Sequence, residues 1–191
     1  MAMLWIGLLL FGGIHVLIAL LPDARAALKA RLGDGPWKGI FSLVSLAGLV
    51  LIIWSYIRLR NGDIETTMAY IPSAGAKHIT MTLVLLAFIL WGSGHGKGYI
   101  RLWVQNPMSV GFVLWAVGHL LANGKTWDVA VFGTVLVIAL LDIIVSMLRG
   151  KRPSYEPRIR SDIIAVAAGV VLYAVFLFGF HPYVLGLPVL S

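Results

Sequence analysis

The sequence predicts an all-α fold: an integral membrane helical bundle of about six transmembrane helices plus one short interfacial helix. Three observations predict it. The 191 residues are 60% hydrophobic and only 12% charged, about half the charged share of a soluble domain. The apolar residues are gathered into runs of membrane-crossing length, separated by short polar connections. Trp and Tyr stand at the ends of several runs, where amphipathic rings anchor at the headgroups. The length fits a single transmembrane domain over residues 1–191, with no room for a separate soluble domain.

The first run covers 3–21 and halts at Pro22-Asp23. It lacks a basic leader and a small-residue cleavage site, so it is expected to be a retained span, not a signal peptide. The segment DARAALKARLGDGP follows, with Arg25, Lys29 and Arg31 among Ala and Leu. It reads as the interfacial helix, ending near Gly33. The second span covers 37–56, with Trp37 at one edge and Tyr56 at the other. The longest polar stretch, 57–77, holds Asn61-Gly62, Pro72 and Gly75, and its middle, MAYIP, is apolar enough to dip back toward the membrane.

The third span covers 78–92. The Gly-rich and then basic-aromatic segment GSGHGKGYIRLWVQ reads as a loop, and its glycines do not follow nucleotide-loop spacing. The fourth span, 107–122, opens on Pro107, a favourable first helical residue, and closes at Ala122-Asn123-Gly124. It is short of the ~20 residues of a perpendicular crossing. The fifth span covers 127–148, the basic connection RGKRPSYEPRIR follows, and the sixth covers 162–180. His181-Pro182 reads as a helix stop, and the tail beyond it as interfacial. Gly12, Gly13, Gly48, Gly111, Gly118 and Gly169 are the small residues expected to let helices approach closely.

Charge sets an orientation. The net charge is +7, and the basic residues lie between apolar runs without the aromatic interleaving of a nucleic-acid surface. Their partners are anionic headgroups of the lipid bilayer, and no nucleic acid is expected. Eleven of the fifteen Lys and Arg residues belong to the odd-numbered connections, counting Lys38 with the first. By the positive-inside rule those connections are expected to be cytoplasmic and both termini to face out. There is no cysteine, so disulfides, thiolate metal sites and cysteine nucleophiles are excluded. No H-E-x-x-H, Ser-His-Asp set or paired-carboxylate site is present, which leaves hydrolase and carboxylate-bridged di-metal chemistry unsupplied.

An ionisable group inside a span is costly and needs a reason. Three are central: His15, His119 and Asp142, while His78, His95 and His181 sit at span ends. Gly7, Phe11, His15 and Ala19 fall four apart on one helical face, with Gly12 beside it. Gly111, Trp115 and His119 repeat the ladder, with Gly118 adjacent. Two membrane histidines, each on a face with glycine and an aromatic, suit axial ligation of a haem b in an apolar pocket. The same residues also suit hydrogen bonds to neighbouring helices, a proton path or another metal. Asp142 reads either as a carboxylate paired to a basic connection or as a proton site or partner of a ligand. His95 reads as solvated.

The segments GIHVLIALLPDARAALKARLG, FSLVSLAGLVLIIW, KHITMTLVLLAFIL, NPMSVGFVLWAVGHLLANG and DIIAVAAGVVLYAVFLFGFHPYVLGLP resemble the NnrU family of bacterial membrane proteins, whose plant relative is zeta-carotene isomerase. The resemblance runs over nearly the whole chain. It implies a helical membrane fold and, from the isomerase branch, a haem b whose axial histidines match His15 and His119. It also implies a link to denitrification, in nitrite and nitric oxide reduction, with isomerase-like or oxidoreductase-like haem chemistry. Nitric oxide or a hydrophobic small molecule is the implied partner. Asn106-Pro107 stands where the family usually has His-Pro, so any role of that histidine is missing here. The departure also weakens a likeness to membrane methyltransferases. Two alternatives stand beside haem chemistry: a non-catalytic accessory factor for nitrogen-oxide reductases, and, more distantly, a methyltransferase. Under the charge-based orientation His15 lies nearer the cytoplasmic side and His119 nearer the outer side, an offset on the order of 10 Å at 1.5 Å per residue. The next pair to consider is therefore His78 and His119, with His181 close by.

Overall fold

The computed structural model describes residues 1–62, 67–150, 152–187 and 189. Residues 63–66 of the long polar connection, Lys151 of the basic connection, and Pro188, Leu190 and Ser191 of the tail lie outside the described residues. The described residues are helical: α1 (Ala2–Leu20), α2 (Pro22–Leu32), α3 (Asp34–Arg60), α4 (Ala76–Ser93), α5 (Tyr99–Val104), α6 (Pro107–Ala122), α7 (Thr126–Leu148) and α8 (Ile159–Val175), which runs on into a π-helical segment, Phe176–Val184. Five of these stretches are long and apolar enough to cross a membrane, and α6 is a shorter apolar helix of 16 residues. Large apolar side chains face outward along them, among them Leu9 at 73% exposure, Leu43 at 69% and Ile163 at 63%. Such surfaces need a hydrocarbon solvent, and the helices satisfy their own backbone groups within it. The chain is a multi-pass membrane protein.

Two compact units divide it: 1–71 with 124–145, and 72–123 with 146–191. In unit 1, α1 ends because Leu21 precedes a proline and leaves the α region, at φ −115° and ψ 67°. Pro22 then opens α2, where its missing N–H costs nothing, and Gly33 at φ 87° closes it. The expected interfacial helix therefore has the bounds the sequence suggested. Asp34 starts α3 and pairs with Lys29 (2.5 Å) and Lys38 (2.6 Å) on the surface. Helices α1 and α3 cross at Gly7 and Gly48, where a Cβ on Gly48 would stand 2.7 Å from the Phe11 nitrogen. The MAYIP segment is tied by its backbone to the start of α7, with Ala69 N donating to Gly124 O (2.8 Å) and Thr126 N to Thr67 O (3.0 Å).

In unit 2, α4 packs against α6, α8 and α5. The close approaches are again at glycine. Gly169 lies against the Ile89 backbone, Gly92 against the Ala165 carbonyl, and Gly118 against Thr80 and Leu83. Two expectations are corrected here. The segment GSGHGKGYIRLWVQ is not all loop, since it contains α5. Asp162 of α8 accepts from Tyr99 N (2.8 Å) and Ile100 N (3.2 Å), so a residue distant in sequence supplies the N-terminal acceptor this short helix lacks locally. Gly98 leaves space for that carboxylate, which a Cβ there would strike. Nor does His181-Pro182 stop the last helix. A proline clashes with the carbonyl four residues back and donates no bond, and widening to π turns accommodates it.

Candidate functional site

The three histidines carried by α1, α6 and the π segment share one local construction. In unit 1, His15 is half-buried and its Nδ1 lies 2.6 Å from the Phe11 carbonyl oxygen. A carbonyl only accepts, so Nδ1 carries the proton and Nε2 the lone pair. The ring also packs on the Phe11 ring (centroids 4.4 Å apart, 35° between planes) and meets the edge of Phe41 from α3 (5.3 Å, 65°). Phe11 is itself pinned where α1 crosses α3, its Cβ 3.0 Å from the Cβ position of Gly48. The helix crossing thus sets the carbonyl and the ring that set His15. Gly12 faces Thr134 and Ile138 of α7, both 3.4 Å from its Cβ position.

In unit 2, His119 repeats the arrangement. Its Nδ1 donates to the Trp115 carbonyl (2.8 Å) and its ring lies on the Trp115 ring (4.5 Å, 41°). Asn123 closes α6 behind it, its Nδ2 donating to the His119 carbonyl at 2.8 Å. Thr80 of α4 holds the same turn, its hydroxyl lying 2.6 Å from the Gly118 carbonyl oxygen. Gly111 does not present an open slot on this face, because the Trp91 indole occupies it, 2.6 Å from the Cβ position.

His181, expected close to His119, stands beside it. Its Nδ1 donates to the Phe176 carbonyl five residues back (2.8 Å), and its ring stands 6.4 Å from that of His119 with only 18° between planes. Both line a small, partly open cleft at the end of the unit remote from α5. Thr80, Phe88, Tyr173 and Phe176 supply further walls. His78, expected as the second choice of ligand, is exposed at the start of α4, and His95 is exposed too. Asp142 is half-buried on α7 in unit 1. Among the described residues no group of three or more His, Asp or Glu side chains could hold a metal ion by itself.

Sequence reasoning missed one buried polar cluster. Asp128 of α7 is 4% exposed and accepts from the Tyr56 hydroxyl (2.8 Å) and from the Lys125 backbone (3.1 Å). The second bond is half of a capping box, the third residue of a helix reaching back to the N–H before it. The lysine-to-aspartate spacing at the start of the fifth run was the available clue.

Compared with known proteins, residues 3–189 match the family described as NnrU protein. No curated protein and no solved structure matches the chain.

Proposed function

The chain belongs to the NnrU family, and from that membership we propose that it is a haem b-binding protein of the bacterial inner membrane, linked to nitrite and nitric oxide reduction, in which His15 and His119 would hold the iron. One observation supports the ligand assignment above all. Each of the two rings gives its Nδ1 proton to the carbonyl four residues back and lies on the aromatic ring of that same residue. A second partner on one ring nitrogen fixes the tautomer and the ring orientation, as metal-bound histidines require. The donor set fits haem b: two imidazoles, each beside an aromatic ring, and no thiolate in the chain to compete.

When bound, haem supplies a one-electron centre that can take a small ligand such as nitric oxide. The chain's own residues do the holding. Phe11 and Trp115 orient the imidazoles, Asn123 and Thr80 fix the turn that carries His119, and the apolar helices exclude water. An absorption spectrum of the purified protein tests the reading. A Soret band is expected, altered or abolished in His15→Ala and in His119→Ala. Addition of nitric oxide to the reduced protein is expected to change the spectrum. A colourless protein, or both variants with the parent spectrum, overturns the assignment.

A further inference from the structure

The cleft at His181 has a chemistry that haem ligation does not use. Its walls are almost wholly apolar, with Met81, Val84 and Leu177 beside the aromatic rings of Phe88 and Phe176, whose centroids are 5.1 Å apart. The Thr80 hydroxyl is engaged by carbonyls, Ala76 O at 2.8 Å and Gly118 O at 2.6 Å. The polar contribution of His181 is narrow. With the Nδ1 proton committed to Phe176 O, the neutral ring offers Nε2 as a hydrogen-bond acceptor only. A ketone or ether brings no proton to such a group, whereas a hydroxyl does. The cleft lies where α4 begins, α6 ends and the π segment closes the last helix. That is the end of a crossing, where an amphiphile keeps its polar tip near the headgroups and its body in the oil.

We propose that this cleft binds a lipid-soluble hydroxylated ring, of the phenol or hydroquinone class, whose hydroxyl donates to His181 Nε2 while the ring packs against Phe88 and Phe176. The π segment is part of the site. Its wide turns carry the helix through Pro182, and within them the His181 ring stands beside that of His119; such turns recur at functional sites. The site lies wholly within unit 2 and shares its His119 wall with the haem of the proposed function.

Full-length protein in detergent micelles, titrated calorimetrically with 1-naphthol and with 1-methoxynaphthalene against empty micelles, tests the proposal. The wild type is expected to bind 1-naphthol saturably at one site and the methyl ether about fivefold more weakly, the loss of one hydrogen bond. His181→Phe keeps the wall and removes this acceptor, so the two probes become equal, whereas His119→Phe, which removes the other imidazole of the cleft, is expected to keep the preference. Leu177→Trp fills the cleft and is expected to weaken both, with helical content by circular dichroism confirming the fold of each variant. No saturable binding to the wild type overturns the proposal. A preference for 1-naphthol that survives in His181→Phe overturns it equally. Heat of binding is read whether or not the protein is coloured, so a failed haem assignment leaves this result interpretable.

Discussion

Replacing Gly169 by alanine adds one methyl group to the α4–α8 crossing. It would stand 2.6 Å from Ile89 Cα, 2.7 Å from Ile89 N and 2.9 Å from the Phe88 carbonyl carbon, where ordinary contact begins at 3.4 Å. All three neighbours are backbone, so no side chain can swing aside. The helices must part by about 0.8 Å at this point, the difference between 3.4 and 2.6 Å. A gap of 0.5–1 Å forfeits roughly a quarter to a half of each dispersion contact across it. Together with the overpacking strain, the expected cost is about 2–3 kcal/mol. For a chain of this size that lowers Tm by roughly 4–12 °C, measured by circular dichroism in detergent. Gly13 is the control. Nothing lies within 4 Å of its Cβ position, so Gly13→Ala should be neutral or stabilising by up to about 1 kcal/mol through helix propensity. Equal melting temperatures for Gly169→Ala and the parent would refute the packing argument.

Further outcomes are expected elsewhere. Asp162→Ala removes the acceptor of Tyr99 N and Ile100 N, so α5 should loosen, with faster hydrogen exchange at those two amides and a stability loss of about 1–3 kcal/mol. Tyr56→Phe strips the buried Asp128 carboxylate of one donor and should cost about 1.5–3 kcal/mol in detergent unfolding, while the helix content persists. Asp34→Asn breaks two exposed ion pairs and should leave Tm unchanged within error, since solvent screens such contacts.

Most of the helical plan could be read from the residues because it is written in local terms. The bounds of α6 follow from Asn106, whose side chain accepts from Ser109 N (3.5 Å), from Pro107 at the first position, and from the Asn123-Gly124 stop. The end of α2 follows from Gly33. What could not be read are relations between distant segments. The α5 helix depends on Asp162, more than fifty residues away, so its own sequence looks like loop. His181 was expected near His119, but the π register that carries it there is one that no periodicity of 3.6 anticipates. Gly111 was expected to permit a close approach on the face of His119, but its spacing does not say that the group approaching is the Trp91 indole of α4. Each of these is settled by packing between helices, which composition and spacing do not encode.

The order of the chain through the two units has a consequence for biogenesis. Unit 1 takes residues 1–71 and 124–145, and unit 2 takes 72–123 and 146–191. The helix α7 that completes unit 1 is therefore synthesised only after α4, α5 and α6 of unit 2. During insertion the α1–α3 pair must wait in the lipid for its last member while the other unit is already forming. No single cut of the chain separates the two units, since a fragment that holds one of them whole always carries part of the other.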